Sequence, residues 1–152
     1  MKVTCIVEQP RNEPYRVRYE PSAKAFIKTE FISLMHARDF MGVYGWVADS
    51  GTPPDPHFDI LIATNEDFAA GEVIDAHVCG MYLREDGDHK LLALADDVIR
   101  ANGVSEICLS QLPEVLRSNF LGVYPYLNLG EAWLNAAEAI QFLHSNLATS
   151  GD

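Results

Sequence analysis

The stretch that most restricts the fold is SGTPPDPHFDILIA, residues 50–63. Its second half is a near-continuous apolar run, too short for an ordinary helix and far below the ~20 residues that span a bilayer. Gly51, Pro53, Pro54 and Pro56 punctuate the chain just before it. Such a run reads as a strand buried on both faces, and that strand needs neighbours. The chain supplies them. VTCIV at 3–7 is β-branched and apolar, and YRVRY at 15–19 alternates aromatic or Val with Arg, the period of a half-exposed strand. AFIKTEF at 25–31 follows across the EPSAK turn, and GVYGWVA at 42–48 is a short strand flanked by glycines. GEVIDAHVCGMYL at 71–83 and HKLLALA at 89–95 bracket REDGD, where Asp86-Gly87 signals a hairpin.

The character changes near residue 95. ADDVIRANG predicts a short helix or turn ending at Gly103, and SQLPEVLRSNFLGVY predicts a helix with Pro113 near its start. GEAWLNAAEAIQFLHSNL, residues 130–147, predicts one amphipathic helix, with Trp133, Leu134, Ala137, Ile140 and Leu143 on its core face. The ATSGD tail is expected to fray. The expected architecture is a single domain over 1–152, with a core of about 3–147, mainly β with C-terminal helices (α+β). A small barrel or sheet with helices packed outside satisfies that order.

Charge narrows the partners. Eleven Lys and Arg against 22 Asp and Glu leave a formal net charge of −11, which repels nucleic acid and anionic membranes and tolerates cations. The short apolar stretch before Glu8 and Pro10 is no signal peptide. Cys5, Cys79 and Cys108 are odd in number and widely spaced. They lack zinc-ligand spacing and point to a reduced, cytoplasmic chain.

Acids stand at three strand ends: Glu8, the pair Asp55 and Asp59, and the cluster Glu85, Asp86 and Asp88. Taken singly, each reads as a solvated turn. Brought together at one mouth of a barrel, carboxylates with water and a substrate phosphate make a Mg²⁺ site.

The order of these pieces resembles the soluble, family I inorganic pyrophosphatases over residues 6–147. Glu8-Gln9-Pro10, YRVRYE, AKAFIKTEF, FMGVYGWV, TPPDPHFDILI, AGEVIDAHVCGMYLREDGDHKLLALA and FLGVYPYLNLGEAWLNAAEAI fall where that family carries its motifs. The resemblance implies an OB-like β-barrel of the inorganic pyrophosphatase type and Mg²⁺-dependent hydrolysis of pyrophosphate, with Mn²⁺ as a substitute metal. It also implies a homo-oligomer, a hexamer in the bacterial members. Position by position, it makes Asp55 the group acting on the attacking water, and Asp55, Asp59, Asp88, Asp86 (or Glu85) and Glu8 the metal ligands. Lys90, Tyr44, Tyr124 and Arg16 become the phosphate-binding and catalytic side chains.

The departures from the pattern are specific. The first Asp of the metal signature is Pro53, and one inserted residue sets Asp55 and Asp59 four apart rather than three. His57 lies between them, either filling the vacated polar space or facing solvent. The expected Lys is Arg16, its partner Glu is Arg18, the strand Arg is Glu30, the first Tyr is Phe40 and the C-terminal Lys is Pro125. Each lost phosphate donor costs ~3 kcal/mol in a transition state, so two lost donors remove roughly four decades of rate. The expectation is therefore a pyrophosphatase with altered or reduced activity. Its alternatives are a non-catalytic relative that binds or scaffolds, and a hydrolase of another phosphoanhydride.

Overall fold

The computed structural model describes residues 1–147, so the ATSGD tail lies outside the described residues. Eight strands form: β1 (Lys2–Gln9), β2 (Tyr15–Glu20), β3 (Ala25–Ile32), β4 (Gly42–Val47), β5 (Asp59–Ala63), β6 (Val73–Leu83), β7 (Lys90–Leu94) and β8 (Ala132–Asn135). The helices are α1 (Leu34–Ala37), α2 (Asp96–Ala101), α3 (Glu114–Leu121) and α4 (Ala136–Leu147). The sheet runs β1-β4-β5-β7-β6, and β6 pairs back onto β1, which closes a five-stranded barrel. The β5–β7 pair is parallel and the other barrel pairs are antiparallel. Strand β8 adds to β6 outside the closure, and β2–β3 form a separate hairpin. Among the described residues, no helix is long and apolar enough to cross a membrane.

Alternation along the strands builds the interior. Val3, Cys5 and Val7, then Val43 and Val47, Ile60 and Ile62, Ile74, Ala76 and Val78, and Leu91 and Ala93 share one apolar cluster with Ala139 and Leu143 of α4. Residues of opposite parity, Leu61, Ala63, Leu92 and Leu94, pack outward against Val98, Leu116 and Phe120 of α2 and α3. Strands β5 and β7 are thus covered on both faces, which is why FDILIA and KLLAL are continuously apolar.

Two bulges change the phase of barrel strands. The β1–β4 register slips between Val7 and Gln9, at Glu8. The β6–β7 register slips between Val78 and Gly80. The second slip reverses the parity of β6, so Met81 and Leu83 join the interior and Tyr82 stays outside. At Gly80, a Cβ would come within 2.6 Å of the Leu134 carbonyl oxygen, so only glycine lets β8 lie so close.

The 130–147 helix is corrected by the structure. Residues 132–135 are strand β8, and the helix begins at Ala136. Trp133 pairs opposite Tyr82 on the free edge of β6, with ring centroids 4.6 Å apart. The boundary signal is Asn135 followed by Glu138, whose carboxylate accepts the Asn135 backbone N–H at 2.9 Å. That bond is half of a capping box.

Candidate functional site

One transverse row of side chains crosses the outer face of the barrel. Strand register places Trp46 opposite Asp59, Asp59 opposite Lys90, Lys90 opposite Tyr82, and Tyr82 opposite Trp133. An ion pair therefore lies between aromatic flanks. Lys90 is only 5% exposed. Its Nζ lies 2.8 Å from Asp59 Oδ2, 2.9 Å from the Tyr44 hydroxyl and 3.1 Å from Asp88 Oδ2. Three acceptors meet the three N–H donors of an ammonium. Burial pushes the Asp59 carboxyl up, but the Lys90 charge and hydrogen bond outweigh it and hold the group below its ordinary range. Burial and the Asp59 charge push the Tyr44 hydroxyl far above its ordinary range.

Asp59 is engaged on its other oxygen too. His57 Nε2 lies 2.9 Å from Asp59 Oδ1, and His57 Nδ1 lies 2.8 Å from the Asp55 backbone oxygen. His57 is half-buried and fills polar space beside the row.

Beside this row opens a pocket of about 350 Å³. Its charged and phenolic walls are Glu8, Arg16, Tyr44, Arg84, Asp88, Lys90 and Tyr124, and Phe31, Ile32 and Leu34 form an apolar side. The β2–β3 hairpin is fastened over it by two side chains from the end of β1. Glu8 accepts the Tyr19 N–H at 2.9 Å, and buried Gln9 accepts the Val17 N–H at 2.7 Å. Gln9 also donates to the carbonyl oxygens of Glu13 and Tyr15. Burial raises the Glu8 carboxyl above its ordinary value; the Tyr19 bond lowers it, and the nearby Asp59 charge pushes it up further.

The predicted residues divide. Glu8, Arg16, Tyr44, Asp88, Lys90 and Tyr124 all line the pocket, and Asp59 is tied to it through Lys90 and Tyr44. Asp55 is exposed in the turn before β5, where its backbone N–H bonds the Thr52 oxygen, and it does not line the pocket. Asp86 and Glu85 are also exposed outside it; Asp86 pairs with Arg84 at 3.2 Å. Glu30 and Pro125 lie outside the lining, so the Glu30 carboxylate does not enter the pocket.

The donor set does not make the expected metal cage. Among the described residues, no group of three or more His, Cys, Asp or Glu side chains could hold a metal ion. Both oxygens of Asp59 are occupied, and the Lys90 ammonium already bridges Asp59 and Asp88.

Arg84 and Gln9 also belong to the site, and the sequence does not single them out. Gln9 follows the Glu8 bulge, and no local pattern announces it. Arg84 lies two residues beyond Tyr82 and so shares its outer face, a parity that the bulge at 78–80 hides from simple alternation.

No protein-family model matches the sequence, and no curated protein matches it. Solved structures do. The inorganic pyrophosphatase from Neisseria gonorrhoeae matches with a TM-score of 0.70 at 19% identity, over 99% of this chain and 92% of that one. The enzyme from Helicobacter pylori matches at 0.69 and 21% identity, over 99% and 94%. The one from Thermus thermophilus matches at 0.67 and 18% identity, over 99% and 92%. The chain shares the OB-like barrel fold of the inorganic pyrophosphatases.

Proposed function

We propose that the protein binds pyrophosphate, or a phosphoanhydride of the same class, in the pocket beneath the β2–β3 hairpin. One observation carries the reading: on a chain of net charge −11, Arg16, Lys90, Tyr44 and Tyr124 gather around a single concave site. Phosphate oxygens are recognised by such cations and hydroxyls. Lys90 supplies a fixed charge whose ammonium is held by Asp59, Tyr44 and Asp88, and Tyr124 supplies a hydroxyl group in a desolvated wall. Burial pushes Tyr124 up to about 12, so it stays protonated and able to donate. The test is calorimetric titration with imidodiphosphate, a non-hydrolysable analogue, in Mg²⁺ buffer and again in EDTA. Micromolar binding in either buffer, weakened at least tenfold by Arg16→Gln, is expected. Absence of binding in both buffers overturns the reading.

A second reading is hydrolysis of the bound anhydride, slow and dependent on Mg²⁺ or Mn²⁺. Its support is that Glu8 and Asp88 both line the pocket, because Mg²⁺ is commonly held by one or two carboxylates together with substrate phosphates. Against it stands the position of Asp55, the expected water-activating group, outside the pocket. Phosphate release from pyrophosphate above that of an Asp59→Asn, Asp88→Asn double variant supports hydrolysis; equal release removes it. With the resemblance go two further proposals, a cytoplasmic location and assembly with copies of the same chain, up to a hexamer. Light scattering of the purified protein checks the second.

A further inference from the structure

Arg84 Nε is the one buried side-chain nitrogen or oxygen without a hydrogen-bond partner among the described residues. A buried donor left idle is costly, so the placement of Arg84 needs an explanation, and the pocket that its side chain lines supplies one. Arg84 lines the pocket, and its guanidinium lies 5.7 Å above the Tyr124 ring. Tyr124 stacks on Tyr82 with centroids 4.5 Å apart and an angle of 8°, and Tyr82 is anchored by a 2.7 Å bond to Glu131. The stack presents a platform that orients the guanidinium. Its salt-bridge partner is Asp86 at 3.2 Å, whose side chain is 51% exposed. A pair that open to water contributes little, so the guanidinium can exchange Asp86 for a better acceptor at small cost.

The place a metal would take is already filled. Arg16, Arg84 and Lys90 line the pocket with Glu8 and Asp88, and Asp59 and Asp86 pair with Lys90 and Arg84 beside it. Lys90 fills the space between Asp59 and Asp88, where a divalent cation would have to compete with an ammonium that has three acceptors.

We propose that this pocket takes its phosphoanhydride as the free anion, without a divalent metal, and that Arg84 is a further anion-binding residue whose two Nη nitrogens bind one phosphate group. The proposal rests on the binding reading above. An Arg fork matches two phosphate oxygens at once, which Lys cannot do.

The test is titration with imidodiphosphate in excess EDTA, with wild type, Arg84→Gln and Arg84→Lys, each first checked for native near-ultraviolet circular dichroism. Wild type is expected to bind in EDTA. Arg84→Gln should bind at least tenfold more weakly and Arg84→Lys should lie between them. Excess Mg²⁺ should leave binding equal or weaker, since it sequesters the anion. Binding that appears only with Mg²⁺ overturns this inference and leaves the binding reading standing. Binding in EDTA that is unchanged in Arg84→Gln removes the role of Arg84. No binding in either buffer removes both. Should Arg84→Gln fail to fold, the Mg²⁺ comparison on wild type still decides the metal question.

Discussion

At the scale of single residues, the site is governed by two carboxyl groups shifted in opposite directions. Asp59 is held below its ordinary value of 3.8, so the stability from its ionised form is present above that value and is lost as pH falls through its lower folded value. Glu8 is raised above its ordinary 4.5, with burial as the first cause. Its contribution is complete below 4.5 and is lost as pH rises through the folded value, because an ionised Glu8 stands half-buried near Asp59. Glu8→Gln keeps an oxygen to accept the Tyr19 N–H and removes the charge. The variant should therefore be more stable than wild type at neutral pH, with the gain vanishing below pH 4.5. Urea unfolding across that range checks it. A wild type that is the more stable at neutral pH would show that the Glu8 charge is stabilised by a partner.

At the scale of elements, the β2–β3 hairpin is the dependent piece. It pairs with no barrel strand, and an isolated two-stranded hairpin is marginal in water. Its attachment runs through Glu8, Gln9 and an aromatic cluster in which Phe26 stacks on Trp46 at 6.0 Å. Gln9→Ala leaves the Val17 N–H and two carbonyl oxygens without that side chain. The expected loss is about 1–3 kcal/mol, expressed locally. Hydrogen exchange should quicken across residues 15–32 while β5 and β7 keep their protection. Uniform acceleration throughout the barrel would mean that the hairpin and barrel open as one unit. The same scale explains the shortened C-terminal helix: the exposed edge of β6 captured residues 132–135, and ladder bonds with the Tyr82–Trp133 contact outweighed their helical spacing.

At the scale of the whole molecule, the closed barrel decides what is accessible. Cys5 and Cys79 are buried and Cys108 is partly exposed. Burial, aided by the Asp75 charge, pushes the Cys5 thiol up to about 12, and burial also raises Cys79. Reactive thiolate is therefore suppressed at both. An aromatic disulfide reagent should label one thiol quickly in the native protein and all three in denaturant. Fast native labelling of two or three would mean that the barrel opens readily. Closure also creates the pocket, because Tyr44, Lys90 and Arg84 reach it from β4, β7 and the end of β6, which are distant in sequence and adjacent only after the sheet has rolled up.

By itself the sequence determined seven of the eight described strands and the two-faced burial of β5, because a period of two and a continuous apolar run are local properties that survive without neighbours. It also marked the hairpin turn at Gly87, where φ is +82°, and six pocket residues through their place in an ordered series. Only the tertiary structure decided which acids meet. Asp55 and Asp59, four apart in sequence, part company because one stands in an exposed turn and the other enters a strand, where register sets it against Lys90. Arg84 turned toward the pocket, and residues 132–135 became strand, through a bulge and a free sheet edge. Both are consequences of pairing between segments far apart in the chain, which no local pattern encodes.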